Sequence, residues 1–313
     1  MLAGIEEAVR LWEERACDEE REDGGIREKM TALDNLVEGL FDYAGLYPPA
    51  SLDLQSVALN YLNYCRDAHA PALARLVVDL DRVERLRDIA GDRFKEMRLT
   101  VVSQPTSQWQ RLHRMLEEGA PIEAVEIKVA VPSEVDCIAR HLPIDLPAYF
   151  EVPFNLSKAD LLNAVCTAGA KVKLRMGGVG AEAFPSPEAV ADMLQAIAER
   201  HLTFKATAGL HHPIRSQHPF THEPSSASGL MHGFVNLCCA ASFVHFGGEA
   251  TNAAQILEEA DPQAWQITPE YIAWRDFKWS AEQVRDTRQE FFSSIGSCSF
   301  TEPMADLETL GWL

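Results

Sequence analysis

Ionisable residues alternate with apolar ones in four successive β-like segments of the sequence. Strand side chains point alternately to two faces, so the Val, Ile, Leu and Phe residues identify one face and the charged residues the other. On the charged face we expect Glu126, Lys128, Glu151, Lys173, Arg175 and Lys205, with Asp42 added from an earlier strand. Because an isolated buried charge is strongly unfavourable, these groups must pair with one another or face a wet pocket.

Two kinds of chemistry suit such a set of charges. In the first, a lysine desolvated near other cations loses its proton more easily and attacks a carbonyl, so Lys205 beside Lys173 is a predicted Schiff-base pair. Glu126 or Glu151 would then transfer protons. In the second, Arg175 and the lysines bind a carboxylate or phosphate while an acid–base pair moves a proton. A structural ion-pair network at the amino-terminal end of a barrel is the remaining interpretation of the same charges.

A glycine-rich turn follows Arg175 in the sequence. It begins with Gly177 and Gly178, whose backbone N–H groups are predicted to contact an anionic substrate. A tight connection between a strand and the helix that starts near Ser186 is the structural alternative for this turn.

A histidine-rich loop follows Lys205. The loop and the residues just after it contain His211, His212, His218, His222, Arg215 and His232. We predict an acid–base or substrate-binding role for His211 or His212, and substrate contacts for Arg215 and His232. Metal binding by His211 and His212 is the alternative, although the loop has no H-x-H or H-E-x-x-H spacing, and a solvated polar loop is the third interpretation.

The cysteines are expected to contribute little chemistry. Seven are present at irregular spacing, without a C-x-x-C pair, and Cys238 and Cys239 are adjacent in an apolar run. This usage is typical of reduced core thiols in a cytoplasmic protein. Cys298 and Glu302 lie near the carboxyl terminus and could reach the same pocket. A single cysteine, however, is more often a packing residue than a nucleophile.

The segments that position these groups alternate between strands and helices. The predicted strands are Gly39–Ala44, Leu73–Asp79, Leu99–Ser103, Ala124–Ala130, Tyr149–Phe154, Lys171–Met176, Thr203–Ala208 and Phe292–Cys298. Helical patterns lie near 52–68, 81–96, 106–118, 133–141, 158–169 and 186–200. This alternation is typical of parallel strands joined by right-handed crossovers. Eight units fit a closed barrel better than an open sheet, which usually carries a glycine-rich dinucleotide turn after its first strand.

We therefore predict an α/β fold of the (β/α)8, or TIM-barrel, type. The barrel domain is predicted to span residues 38–313, after an N-terminal helical extension over residues 1–37. Residues 210–285 interrupt the alternation with the histidine loop, an apolar helix at Met231–Phe246 and an irregular stretch containing several tryptophans. We interpret them as an elaborated connection between strands seven and eight.

Composition and charge restrict the partners. The chain has 313 residues, 47% of them hydrophobic and 24% charged, which is ordinary for a globular protein. Its net charge of −19 at pH 7 repels phosphate backbones and anionic membranes, so we expect neither a nucleic-acid nor a membrane partner. We expect a cytoplasmic protein with a small anionic substrate in a local cationic pocket. No cofactor is predicted, while a divalent metal and a homo-oligomer stay open.

Five stretches of the sequence resemble an uncharacterised bacterial family of TIM-barrel proteins. They are FDYAGLYPPA (41–50), KLRMGGVGAEAFPSPE (173–188), FKATAGLHHPIR (204–215), MHGFVN (231–236) and GSCSFTEP (296–303). The resemblance extends over most of the chain from about residue 38 and assigns no activity. FKATAG is also similar to the lysine-bearing strands of deoxyribose-phosphate-aldolase-like barrels, which implies a Schiff-base role for Lys205. The Lys-Thr-Ser-Thr-Gly strand of those barrels has no clear copy here.

The leading hypothesis from the sequence is an aldolase-type lyase or an isomerase that acts on an anionic carbonyl compound, carboxylated or phosphorylated. Lys205 or Lys173 would be the amine, Glu126 and Glu151 the proton-transfer groups, and Arg175 the anion-binding group. The alternatives are a metal-dependent lyase or hydrolase that uses the histidine loop, and a non-catalytic ligand-binding barrel.

Overall fold

The structure is a computed structural model that describes residues 30–104, 108–154, 158–221 and 223–313. Most of the predicted N-terminal extension, and His222 of the predicted histidine loop, lie outside these ranges.

Eight parallel strands close into a barrel, as the sequence predicts. Around the barrel the strands follow one another in chain order, and the last pairs with the first again. The bounds of these strands are Phe41–Tyr43 (β1), Leu73–Asp79 (β2), Leu99–Ser103 (β3), Ile122–Lys128 (β4), Ala148–Val152 (β5), Lys171–Arg175 (β6), Phe204–Thr207 (β7) and Phe292–Ser297 (β13). Each predicted strand therefore corresponds to a barrel strand.

Helices alternate with the barrel strands. The α-helices are Ala32–Val37 (α1), Leu54–Tyr64 (α2), Val83–Ala90 (α3), Trp109–Glu117 (α4), Pro132–Ala139 (α5), Lys158–Thr167 (α6), Pro187–Ala198 (α7), Phe234–His245 (α8), Ala250–Glu258 (α9), Ala281–Asp286 (α10) and Thr301–Thr309 (α11). Helix α7 begins as its sequence predicts, because Ser186 Oγ accepts a hydrogen bond from the Ala189 N–H at 3.2 Å and Pro187 occupies the first turn. Within the described residues, no helix has the length and apolar character needed to cross a bilayer.

The alternation of side chains along the strands separates an apolar layer from a charged interior. Val125, Phe150, Val172 and Phe204 are fully buried in the hydrophobic core. The ionisable neighbours of these residues meet in the interior of the barrel. Lys205 on β7, for example, contacts Glu126 on β4, although two other strands separate β7 from β4 in the sheet. The predicted division of these strands into an apolar face and a charged face is thus confirmed.

The connection between β7 and β13 is more regular than predicted. It contains a hairpin, β8 (Ser216–Pro219) with β9 (Ser228–Met231), and a three-stranded antiparallel sheet. The strands of that sheet are Trp265–Ile267 (β10), Tyr271–Trp274 (β11) and Phe277–Ser280 (β12). The tryptophan-containing stretch was predicted to be irregular, but Trp265, Trp274 and Trp279 are buried side chains of this sheet. Their large apolar area stabilises a sheet too short to persist alone.

Helix α1 attaches the amino-terminal end of the described chain to this connection. The Ala32 N–H donates to the Pro269 carbonyl at 2.8 Å, and Asn35 Nδ2 donates to the Ala281 carbonyl at 3.0 Å. Because α1 immediately precedes β1, the sheet of β10 to β12 lies near the amino-terminal end of the barrel. The hairpin of β8 and β9 lies at the opposite end, where Pro219 and Ser228 line the cavity described below.

Candidate active site

Six charged side chains form one continuous ion-pair network inside the barrel. In order along the network they are Asp42, Lys205, Glu126, Lys173, Glu151 and Arg175. Lys205 Nζ lies 2.5 Å from both Asp42 Oδ2 and Glu126 Oε1. Lys173 Nζ lies 2.6 Å from Glu126 Oε2 and 2.9 Å from Glu151 Oε2. Arg175 Nε lies 2.9 Å from Glu151 Oε1. Three carboxylates alternate with three cations along this series of contacts, and Arg75 Nη1 approaches Asp42 Oδ1 at 3.9 Å from outside it.

The network is sealed at one end and open at the other. Asp42 and Lys205 are 0% and 1% exposed, whereas the Arg175 side chain is 51% exposed. At the sealed end, Asp42 also accepts hydrogen bonds from Ser294 Oγ at 2.8 Å and from the Arg75 N–H at 2.9 Å. Lys205 Nζ lies 5.4 Å from the centroid of the Tyr149 ring. These contacts supply the buried charges with partners, which is the condition for burying them at all.

A cavity of about 1010 Å³ lies above the open end, at the carboxyl-terminal ends of the strands. Its floor and walls include Glu126, Lys173, Glu151 and Arg175. Lys128, an exposed cation on the wall, has no ion-pair partner within the ranges that the structure describes. Barrel enzymes place their active sites at this end of the strands. A smaller cavity of about 410 Å³, which His201 and Glu290 help to line, lies away from the network.

Electrostatics keep the buried groups of the network charged. Burial raises the pKa of Glu126, but the adjacent Lys173 and Lys205 lower it to about 2. The pKa of Lys205 is lowered by burial but raised overall by Asp42 and Glu126. Burial likewise raises the pKa of Glu151, while Lys173 and Arg175 lower it below the usual value. Glu126 and Glu151 are therefore weak bases for as long as their cations stay in place.

The environment of Lys205 corrects the prediction that it is a nucleophilic amine. The sequence placed a second cation near Lys205, which would favour loss of its proton. In the structure the nearest groups are two carboxylates, which favour the ammonium form. Lys205 also does not line the cavity, and it is 1% exposed. Lys173 lies in register with Lys205 on the neighbouring strand, as expected, and does line the cavity.

The structure divides the predicted substrate-binding residues into two groups. Lys128, Arg175 and Gly178 line the cavity; Asp42, Gly177, Arg215 and His232 do not. Asp42 is the buried end of the network.

Backbone packing and internal hydrogen bonds explain why three of the predicted substrate contacts lie elsewhere. A Cβ atom on Gly177 would lie 2.8 Å from Gly209 Cα, so this glycine permits two loops to pack closely. His232 Nε2 donates to the Pro185 carbonyl at 2.8 Å, and burial lowers the pKa of His232. The Arg215 N–H donates to Asn236 Oδ1 at 3.0 Å. These positions shape the loops around the cavity without forming its wall.

The two predicted histidines line the cavity, and each is paired with a carboxylate of helix α11. His211 Nδ1 lies 3.3 Å from Glu302 Oε2, and His212 Nδ1 lies 2.6 Å from Asp306 Oδ2. Glu302 and Asp306 are four residues apart, which places them on one face of the helix. His212 also stacks on His218, with 3.3 Å between ring centroids.

Cys298 also belongs to this cluster, although a single cysteine in the sequence predicts a packing residue. It lines the cavity, and its Sγ lies 3.9 Å from His211 Nε2. The sequence signal for the cluster is that two consecutive histidines, His211 and His212, are matched by two carboxylates four residues apart, Glu302 and Asp306. That signal becomes specific only when the docking of helix α11 is known.

The alternative of a metal site at His211 and His212 finds no ligand set in the structure. Across the described ranges, no three His, Cys, Asp or Glu side chains are arranged to bind a metal ion. The Nδ1 atoms of the two histidines face different carboxylates. His222, which also belongs to the loop, is not among the described residues.

Comparisons with known proteins do not assign a family. No model of a known protein family matches the chain. No curated protein is similar to it at a significant level. Among solved structures, a nitroalkane oxidase from Streptomyces ansochromogenes is similar over 90% of this chain and 99% of that chain, at 13% identity and a TM-score of 0.34. A similarity of this size carries no argument about fold, activity or cofactor, so the closed barrel rests on its own strand pairing.

Proposed function

We propose that this barrel is an enzyme of the lyase or isomerase class that acts on a small anionic carbonyl compound by moving a proton next to the carbonyl. The observation that carries the proposal is Lys173, a cation on the cavity wall that touches two carboxylates within 2.9 Å. An ammonium group and carboxylates side by side supply the two groups that such a proton transfer needs. The ammonium stabilises charge on the carbonyl oxygen, and a carboxylate accepts the proton.

The exposed cations provide the binding site for the anionic group of the substrate. Arg175 contacts Glu151 through Nε and Nη2, at 2.9 and 3.3 Å, while half of its side chain stays accessible. Lys128 lies in register with Glu151 on the adjacent strand. A carboxylate or phosphate that enters the cavity therefore meets two cations before it reaches Lys173 on the inner wall.

Binding of an anion would activate Glu151 as the base. Arg175 and Lys173 hold the pKa of Glu151 below its usual value in the empty site. When Arg175 turns to the substrate anion, Glu151 loses one of these cations, so its pKa rises and it becomes a stronger base. Glu126 stays between Lys173 and Lys205 and keeps its charge. The site thus creates its base only when a substrate of the right charge is present.

The same geometry favours proton transfer over a Schiff base at Lys173. Formation of an imine needs a neutral amine, and a neutral Lys173 would leave two adjacent carboxylates without their shared cation. In the proton-transfer reaction Lys173 stays charged throughout and donates a hydrogen bond to the carbonyl oxygen.

Exchange of substrate hydrogen with solvent tests the proposal directly. Lyases and isomerases of this kind share a carbanion or enolate, so the hydrogen next to the carbonyl should exchange when the protein is incubated in D₂O. A panel of small 2-oxo acids and phosphorylated aldehydes and ketones, followed by proton NMR, measures this exchange. We expect exchange with at least one compound, and its loss in Glu151→Gln.

Two further variants make the exchange experiment specific. Arg175→Met should weaken binding of the anionic compound. Because Glu151 then lacks one of the cations that lower its pKa, this variant should exchange an uncharged analogue that the wild type does not exchange. Glu270→Gln, at an exposed glutamate between β10 and β11, is the matched control and should behave as the wild type. Absence of exchange across the panel, or exchange that persists in Glu151→Gln, would refute the proposal.

A further inference from the structure

We infer that Cys298 is a nucleophile of the same cavity, activated by His211 and Glu302, and that it adds reversibly to the carbonyl carbon of the substrate. The carbonyl substrate class rests on the proposed function, whereas the reactivity of the thiol does not. Cys298 directly follows β13, at the carboxyl-terminal end of a barrel strand, where barrel enzymes place catalytic groups. Cys298, His211 and Glu302 all line the cavity.

The imidazole of His211 lies between a thiol and a carboxylate. Its Nε2 is 3.9 Å from Cys298 Sγ, and its Nδ1 is 3.3 Å from Glu302 Oε2. A carboxylate at Nδ1 favours the tautomer with the proton on that nitrogen, which leaves Nε2 to accept the thiol proton. Nucleophile, base and orienting acid are thus in the order that activated cysteines and serines use on unrelated folds.

The charges around His211 support a thiolate–imidazolium pair. Burial alone would lower the pKa of His211, but its contacts with Cys298 and Glu302 raise it to about 10. His212 is the next ring, at 6.4 Å between centroids, and it faces Asp306 and His218. The imidazole therefore keeps a proton that it takes from the thiol, and the thiolate is the reactive form of a cysteine.

Other cysteines of the chain show what a purely structural thiol looks like here. Cys238 and Cys239 lie in the apolar helix α8, do not line the cavity, and have pKa values raised by burial. Cys298 is also buried, at 7% exposure, but its sulfur borders the cavity and contacts a histidine. A packing role does not require that histidine, nor the carboxylate behind it.

The covalent step balances without an added oxidant or reductant. The thiolate attacks the carbonyl carbon, a C–S bond forms, and the π electrons of the carbonyl move to its oxygen. His211 Nε2 then gives its proton to that oxygen, which produces a neutral hemithioacetal and a neutral imidazole. Reversal of the same steps releases the carbonyl compound, so the adduct retains the substrate in the cavity beside Lys173.

Alkylation by iodoacetamide, read by peptide mass spectrometry on the intact full chain, tests the nucleophile without any substrate. The exposed Cys65, Cys137 and Cys166 serve as controls within the same molecule. We expect Cys298 to react at least about tenfold faster than these at pH 7, although it is buried, because His211 Nε2 lies beside its sulfur and can accept the thiol proton. Because the pKa of His211 is raised to about 10, the rate at Cys298 should change little between neutral and mildly alkaline pH, whereas the control rates rise with pH. A Cys298 that reacts more slowly than the exposed cysteines overturns the inference.

Variants and a carbonyl probe complete the test. His211→Asn should reduce the Cys298 rate to or below that of the controls and restore an ordinary dependence on pH, with circular dichroism confirming the fold. Glyoxylate, a small anionic aldehyde, should slow alkylation of Cys298 and leave the exposed cysteines unaffected. If the alkylation rate of Cys298 is unchanged in His211→Asn, or if glyoxylate does not slow it, the inference is overturned.

The outcomes separate this inference from the proposed function. Solvent exchange that continues unchanged in Cys298→Ser overturns the covalent role and leaves the proton-transfer function standing. A fast, histidine-dependent Cys298 that glyoxylate protects, in a protein that exchanges no substrate hydrogen, supports the nucleophile and refutes the proton-transfer function.

Discussion

Replacement of Glu126 by glutamine removes a carboxylate that two buried lysines share. Glu126 Oε1 faces Lys205 at 2.5 Å and Oε2 faces Lys173 at 2.6 Å, and the glutamate itself is 2% exposed. Glutamine has nearly the same shape, so packing is preserved while the charge is lost. The network would then contain three cations and two carboxylates, with Lys205 held at its sealed end.

The size of the effect follows from the electrostatics of Glu126. Its pKa falls from a usual value of 4.5 to about 2 in the folded protein. Since one pKa unit corresponds to about 1.4 kcal/mol, the charged form of Glu126 stabilises the fold by about 3 kcal/mol at neutral pH. This agrees with the roughly 3–5 kcal/mol expected when one partner of a buried ion pair is removed. We predict that Glu126→Gln lowers the free energy of unfolding by this amount.

Urea denaturation at pH 7 measures the change, and Glu123 on the same strand provides a matched control. Glu123 also has two cationic partners, with Arg75 Nε and Arg98 Nε both at 2.9 Å, but its side chain is 36% exposed. Because solvent screens such pairs, Glu123→Gln should cost less than about 1 kcal/mol. Equal effects of the two substitutions would show that burial of the network contributes nothing and would refute the reasoning.

A double substitution separates charge imbalance from a general loss of packing. In Glu126→Gln combined with Lys205→Met, the network again has equal numbers of carboxylates and cations. The double variant should therefore be less destabilised than the sum of the two single variants, with a coupling of roughly 0.5–3 kcal/mol. Additive effects would contradict a shared network.

Three further predictions use the same protein. Urea midpoints measured at successive pH values should show that the stability of the wild type falls as the pH drops from about 4.5 towards 2. The reason is that Glu126, whose pKa is lowered, stabilises the fold only while its carboxylate is charged. An equally steep loss of stability in Glu126→Gln would contradict this. Borohydride with pyruvate should leave Lys205 unmodified in peptide mass spectra, because it is sealed from the cavity; a reduced adduct there would restore the Schiff-base role. Gly177→Ala should lower the free energy of unfolding, measured by urea denaturation, by about 1–3 kcal/mol, because the Cβ of the alanine would lie 2.8 Å from Gly209 Cα. An unchanged urea midpoint would contradict that packing.

The barrel could be predicted from the sequence because one pattern specifies both the position and the face of each strand. Strands β2 and β3 coincide residue for residue with the predicted Leu73–Asp79 and Leu99–Ser103. In β6 the apolar Val172 and Leu174 enter the hydrophobic core, while Lys173 between them reaches the charged interior. A period of two in hydrophobicity is a local signal, so it survives without knowledge of the tertiary fold.

The partners of each charge could not be predicted, because they depend on contacts between distant strands. Lys173 and Lys205 lie at the same level on adjacent strands, as expected. Only one of them can be reached from the cavity. Lys205 is enclosed with Asp42 from β1, whereas Lys173 lines the cavity. The sequence therefore predicts which groups share the interior, but it leaves undetermined which of them a substrate can reach.

The pairing of the histidines was missed for the same reason. His211 and Glu302 are 91 positions apart, and their contact requires helix α11 to dock across the mouth of the barrel. A single cysteine after β13 gave no chemical signal until His211 lay beside it. Conversely, Arg215 and His232 have the chemistry of a binding site, yet their backbone and ring contacts are with neighbouring loops.

The balance of charge in the network implies the charge of the molecule that it binds. The three carboxylates and three cations of the network are already paired with one another. An anion in the cavity therefore meets Lys128, which lines the wall outside the network, and gains a second cation only when one leaves an existing pair. Lys205 cannot move without exposing Asp42, whereas Arg175 is half exposed and bonded to Glu151 alone among the charged groups of the network. One cation is thus exchangeable and the others are fixed, which suits a substrate with a single strong anionic group. In the proposed mechanism, a neutral molecule leaves the Arg175–Glu151 pair intact, so Glu151 stays a weak base and proton transfer does not begin.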